Sequence, residues 1–110
     1  MKKLLFQIIG NWHHGRGAKS TRKENFQMAL RHFQAALDYA LRANNQASIP
    51  VEMECISRTF VKLKDYEQAQ KYATESLESY KKLQWAGSIF EASVGRVTTL
   101  LETIKRRESI

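Results

Sequence analysis

Glu24–Leu37 and Lys64–Leu77 are the same fourteen-residue pattern written twice, 40 positions apart. A turn residue (Asn25, Asp65), an aromatic (Phe26, Tyr66), a small residue (Ala29, Ala69), a second aromatic region (His32, Tyr72), another small residue (Ala36, Ser76) and a leucine (Leu37, Leu77) fall in register. Self-similarity at a period of tens of residues marks a stacked architecture, in which one unit cannot bury its apolar face alone.

The spacing inside each copy predicts helix. Phe26, Ala29, Leu30, Phe33, Leu37 and Ala40 recur at three and four, as do Tyr66, Ala69, Ala73, Leu77 and Tyr80. Each set makes one apolar stripe. Ala29, Ala36, Ala69 and Ser76 are small enough to admit a crossing backbone, and Phe33, Tyr66 and Tyr72 fill the wider gaps.

Ahead of the second copy, Met53, Ile56, Phe60 and Leu63 give another stripe of the same period, ended by the short turn Lys64-Asp65. The predicted unit is therefore a helical hairpin. Leu63-Lys64-Asp65-Tyr66 followed by Ala69 resembles the tetratricopeptide repeat, whose second helix opens with a Gly-Asp/Asn-Tyr turn and an Ala shortly after. Lys64 and Glu24 stand where that family has Gly, as does Ser57 in the first helix. The period is that of a longer variant, of which kinesin light chain is an example. The resemblance implies an all-α, right-handed superhelical stack of two hairpins closed by a fifth helix.

Along the chain, repeat 1 is expected over 2–44, repeat 2 over 47–84 and a capping helix over 88–106. The first helix is predicted from Lys2 to Trp12, with Leu5, Ile8, Ile9 and Trp12 on its buried face and Leu4 and Phe6 on the other. His13–Lys23 carries glycine and charge without period and reads as a loop. The second helix opens at a Thr21/Glu24 capping box or at Asn25. Pro50 falls in the first turn of the third helix and Asp65 caps the fourth. Trp85-Ala86-Gly87 makes the last turn, and Ser88–Glu91 reads as a capping box for the fifth helix, whose stripe is Phe90, Val94, Val97, Leu101 and Ile104. A lone last helix is how repeat arrays cover their final core face, so the array is expected to be complete.

In 110 residues, 43% hydrophobic and 26% charged, there is room for one core and no case for disorder throughout. The single Cys55 excludes an internal disulfide and points to a reducing, cytoplasmic setting. Met1–Gly10 lacks the long apolar run and cleavage site of a signal peptide, and no segment approaches a bilayer span. Net charge is +7, and Lys2, Lys3, Arg16, Lys19, Arg22 and Lys23 all precede the first acid, Glu24. That asymmetry favours an acidic partner or an anionic surface.

No chemistry-bearing motif survives inspection. Gly10–Thr21 looks like a phosphate-cradling loop, but Ala18 separates Gly17 from Lys19-Ser20, so backbone amides and ammonium would not converge on one phosphate. Adjacent His13 and His14 point about 100° apart on a helix and His32 has no partner at four, so no metal and no cofactor is expected. Glu52 and Glu54 face different directions, and an enzyme is not expected.

A binding groove is the stronger reading. In stacked hairpins the first helices line the concave side, which places Gln7, Asn11 and His14, then Glu54, Arg58, Val61 and Lys62, then Ala92, Arg96 and Thr99 on it. Arg58 and Arg96 follow the small residues Ser57 and Gly95 and are the leading carboxylate binders. Tetratricopeptide modules hold carboxylate tails of chaperones with a basic, Asn-containing clamp. Asn11 and Arg96 resemble two of its members, but Gln7 and Ala92 stand where Lys is needed, so that ligand is not expected.

The expected function is non-enzymatic binding of an acidic peptide or partner protein in the groove. One alternative is self-association through the terminal helices, using Leu4, Phe6, Ile89 and Leu100. A lesser one is RNA or an anionic surface held by Arg16, Lys19, Arg22 and Lys23 beside Trp12.

Overall fold

The computed structural model describes residues 2–83 and 91–108. Every regular element among them is a helix: α1 (Lys2–Arg22), α2 (Phe26–Arg42), α3 (Ser48–Lys62), α4 (Tyr66–Leu83) and α5 (Glu91–Glu108). The five helices and the all-α class expected from periodicity are the ones observed. The turn Trp85–Gly87, the capping positions Ser88–Phe90 and the apolar Ile89 lie outside the described residues.

The two repeated turns are alike atom by atom. Asn25 Oδ1 accepts from the Met28 amide at 3.2 Å, and Asp65 Oδ1 accepts from the Gln68 amide at 3.2 Å. These bonds satisfy first-turn donors that have no helical partner. One residue earlier, Glu24 and Lys64 adopt the left-handed conformation, with φ of 58° and 62°. Glu24 and Asn25 amides return to the Thr21 and Ser20 carbonyls, as the Lys64 and Asp65 amides return to those of Val61 and Phe60, all at 2.9–3.0 Å. This closure satisfies the last carbonyls of α1 and α3 and reverses the chain within three residues. Asn25, not Thr21, is the cap; the Thr21 hydroxyl instead donates to the Gly17 carbonyl at 3.0 Å.

The expectation for 13–23 is corrected: there is no loop, and α1 runs unbroken for 21 residues to Arg22. The glycines that suggest a break are contact points. A Cβ at Gly17 would lie 2.7 Å from the Phe33 ring, and one at Gly10 would lie 3.3 Å from Tyr39 Cβ and 3.6 Å from the Ala36 carbonyl oxygen. Only glycine lets the α1 backbone approach α2 this closely. Each costs the helix about 1 kcal/mol in propensity, and packing against α2 offsets that.

The same contacts overturn the expected inner face of α1. Its buried residues are Gly10 and Gly17, whereas Leu5, Ile8 and Trp12 are 54%, 58% and 57% exposed. Leu4 is exposed as expected; Phe6 is half-buried, its ring 5.9 Å from that of Tyr39.

In the second hairpin the matching positions, 40 residues on, are Ser57 and Pro50. Ser57 Oγ donates to the Ala69 carbonyl at 2.7 Å, and Ser76 Oγ donates to the Pro50 carbonyl at 2.8 Å. Small residues again mark the helix crossing, here with their hydroxyls satisfied inside the core. Ala29 and Ala69 are both fully buried.

Two apolar clusters hold the helices together. Ala29, Phe33 and Ile56 join the first hairpin to α3; Ala69, Ala73, Tyr80, Val97, Leu100 and Ile104 join α4 to α5, and Phe60 packs against both groups. Leu100, expected to be wet, is buried here within the apolar cluster that joins α4 and α5. Each helix packs mainly on its neighbours in sequence, and α3 also touches α5. The molecule measures 49 × 35 × 19 Å, so its thinnest dimension is about two helix diameters. Among the described residues, no helix is long and apolar enough to cross a membrane.

Candidate functional site

A concavity of about 660 Å³ opens between α1, α2, α3 and α5. Three non-consecutive helices supply its sides: His14, Ala18 and Thr21 from α1, Cys55, Arg58, Thr59, Val61 and Lys62 from α3, and Arg96, Thr99, Leu100 and Thr103 from α5. Phe26 and Phe33 of α2 complete the wall. The surface is largely aliphatic and aromatic, with threonine hydroxyls and a basic edge.

Six of the expected groove residues meet in it: His14, Arg58, Val61, Lys62, Arg96 and Thr99. Gln7 and Asn11 do not; they border a separate small crevice with Phe6, Ala40 and Glu52. Ala92 is exposed and lines neither. Among the lining residues missed by sequence, which also include Thr59, Leu100 and Thr103, two groups have a clear reason. Ala18 and Thr21 continue the α1 stripe Gln7, Asn11, His14 at the helical spacing of three and four, and were hidden because the helix was expected to stop at Trp12. Phe26, Phe33 and Cys55 read as core side chains, and nothing local marks them as walls of an opening.

The two arginines are not free. Glu54, buried beneath them, accepts from Arg96 Nε at 2.6 Å and Nη2 at 2.9 Å, from Arg58 Nε at 3.2 Å and Nη2 at 3.1 Å, and from the Tyr80 hydroxyl at 3.1 Å. Both partner guanidiniums are about half exposed. Burial alone would raise the Glu54 pKa, but the hydrogen bonds and charges of Arg96 and then Arg58 outweigh it and hold the carboxyl below its ordinary range. Glu54 in turn raises the Arg96 pKa, and burial together with Glu54 pushes the Tyr80 hydroxyl up to about 12. Glu54 therefore occupies the position of the carboxylate that these arginines were expected to receive from a partner.

On the opposite side of the cavity His14 Nδ1 meets Glu52 Oε1 at 2.9 Å. That hydrogen bond raises the His14 pKa against the opposing effect of burial. The Phe33 ring packs edge-on against the imidazole, centroids 5.7 Å apart. Nearby, His13 and His32 share a hydrogen bond between their Nδ1 atoms at 3.0 Å, inside an aromatic cluster with Trp12 and Tyr39. Burial, then the charges of His13 and Arg16, lower the His32 pKa. Burial pushes the Cys55 thiol up to about 12, helped by Glu52 and Glu54, so at neutral pH it is a protonated thiol and a poor nucleophile.

The basic residues Arg16, Lys19, Arg22 and Lys23 are exposed, but they ride on the last two turns of α1 and the residue after it, not on a loop. Lys19 and Arg22 sit where cations suit a helix C-terminus, and the Arg16 guanidinium lies 5.7 Å from the Trp12 ring centroid. No protein-family model, curated protein or solved structure matches the chain.

Proposed function

We propose that this protein is a non-enzymatic binding module of the tetratricopeptide kind, its hairpins arranged in a right-handed superhelical stack, which takes an acidic, partly apolar peptide or helix of a partner protein into the cavity between α1, α3 and α5. The observation that carries this reading is the cavity itself, apolar within and basic at the edge. Its sides come from three helices that are not consecutive in the chain, with Phe26 and Phe33 of α2 completing the wall. The matched turns and the equivalent burial of Ala29 and Ala69 support the repeat reading. An apolar concavity with few polar groups is the common form of a recognition site, and a basic rim adds selectivity for acidic partners. Lys62 supplies rim charge that no ion pair among the described residues offsets, and the net charge of +7 acts in the same direction.

Selecting helical and extended peptides from a display library on the full chain, then rebinding them to Thr103→Trp and Lys62→Glu, tests the proposal. Thr103→Trp fills the cavity and Lys62→Glu reverses the rim without touching Glu54. Selected peptides are expected to be rich in Asp and Glu beside apolar residues and to lose about tenfold in affinity, some 1.4 kcal/mol, on either variant. Peptides that bind both variants as well as the parent would end the groove reading.

A second reading, self-association, is favoured by the exposed row Leu4, Leu5, Ile8 and Trp12 on α1. An exposed apolar stripe of this length is a common mark of an interface. Light scattering across a concentration series should show a dimer that Ile8→Glu with Trp12→Glu disperses; a monomer at all concentrations would remove this reading.

A further inference from the structure

His14, Glu52 and Cys55, which lie 38 and 41 positions apart in the sequence, offer one nitrogen, one oxygen and one sulfur within 4.8 Å of one another. We propose that these three side chains form a binding site for a divalent transition-metal cation of the zinc class, with the fourth coordination position open to the cavity. This goes beyond the peptide-binding reading and does not depend on it.

The donor set argues for that class. Zinc takes nitrogen, sulfur and carboxylate oxygen at about 2.0–2.3 Å, which puts neighbouring ligand atoms of a tetrahedral site about 3.4–3.7 Å apart. His14 and Glu52 stand at 2.9 Å and need to part by about half an ångström. No pair of these atoms is more than 4.8 Å apart, so none needs to close by much more than about one ångström. Side-chain rotation can supply both. A soft sulfur donor disfavours calcium and magnesium, which seek oxygen.

Burial and charge agree. Glu52 is 7% exposed and His14 39%, Cys55 is half-buried, and the Phe33 ring fixes the imidazole orientation. On binding, the Cys55 thiol proton passes to solvent, and His14 binds through one neutral nitrogen while its ring proton rests on the other. Thiolate and carboxylate then balance the two charges of the cation. Glu54 adds no uncompensated charge because Arg96 and Arg58 hold it. The site joins α1 directly to α3, two helices that otherwise meet mainly through α2. A metal there would fasten the first helix in place.

Cobalt titration of the full chain, stripped with chelator and kept reduced, tests this. One Co²⁺ per chain should give a thiolate-to-cobalt charge-transfer band that Zn²⁺ displaces, and Cys55→Ser should abolish the band. His14→Gln and Glu52→Gln should weaken binding by at least the tenfold that loss of even an outer-sphere partner costs, and His32→Gln should leave it unchanged. No band, or binding that follows His32 and not His14, overturns the proposal. Should the substitutions unfold the chain, alkylation of Cys55, its sole cysteine, decides on the parent protein: Zn²⁺ must slow it, and an unchanged rate overturns the proposal.

Discussion

Arg96 on α5 grips Glu54 on α3 with two separate donors, Nε at 2.6 Å and Nη2 at 2.9 Å. The carboxylate is 8% exposed and the guanidinium 47%. The pair thus latches the last helix across the cavity mouth, and it links two helices whose remaining direct packing is slight. An internal carboxylate holding a surface arginine is costly to lose from one side, since the buried charge then stays behind. It is far less costly to lose from both.

Arg96→Met is therefore expected to destabilise the fold by about 1–2 kcal/mol, moderated by Arg58 and Tyr80, which keep hold of Glu54. Adding Glu54→Gln should recover part of that loss, leaving a coupling of about 1 kcal/mol in a double-mutant cycle read by urea unfolding. Strictly additive losses would mean that the latch carries no energy.

Glu54 also sets an acid limit. The folded state holds its carboxyl below the ordinary value of 4.5 while the unfolded chain does not, so the unfolded state takes up the proton more readily. Its contribution is complete above about pH 4.5 and disappears as pH falls through the lowered folded value. Unfolding midpoints measured from pH 7 to pH 3 in chelator should fall less steeply in Glu54→Gln than in the parent. An identical slope would contradict this assignment.

The glycines of α1 separate by environment. Nothing lies within 4 Å of a Cβ placed on Gly15, so Gly15→Ala should stabilise by roughly 0.5–1 kcal/mol through helix propensity. At Gly17 the same change drives a methyl into the buried Phe33 ring. Overpacking of about 1–3 kcal/mol exceeds the propensity gain, so Gly17→Ala should be net destabilising. Thermal unfolding of the pair checks the opposite signs; a loop over 13–23 would give neither.

Lys64 offers a gain of a different kind. Its φ of 62° is the conformation that glycine takes without steric cost. Lys64→Gly is expected to stabilise by about 0.5–1 kcal/mol, seen as a rise of a few degrees in Tm. Its repeat counterpart Glu24→Gly, with φ of 58°, should behave alike. Opposite responses at the two sites would break the equivalence of the hairpins.

The helices α2, α3 and α4 were legible from spacing alone. Phe33, Ile56 and Ala69 recur at the helical period, and Asn25 and Asp65 are polar caps placed just before the stripes, so local rules and tertiary packing agree. In α1 they disagree. Leu5, Ile8 and Trp12 read as core, and Gly15 and Gly17 read as breaks, because a single strand of text weighs side-chain apolarity and helix propensity and has no term for backbone approach. Gly17 against Phe33 has meaning only once α2 lies alongside.

From sequence alone came the helical class, the 40-residue duplication with its capped turns, and six of the ten residues expected on a groove face, His14, Arg58, Val61, Lys62, Arg96 and Thr99, which line the cavity. Those follow from periodicity and turn chemistry, which act over a few residues. Only the tertiary structure decided that Glu54 already occupies Arg96, that Cys55 lies within 4.8 Å of His14 across 41 positions, and that α1 docks by its glycines. Each of these is a contact between helices, fixed by which surfaces can approach closely enough to exclude water.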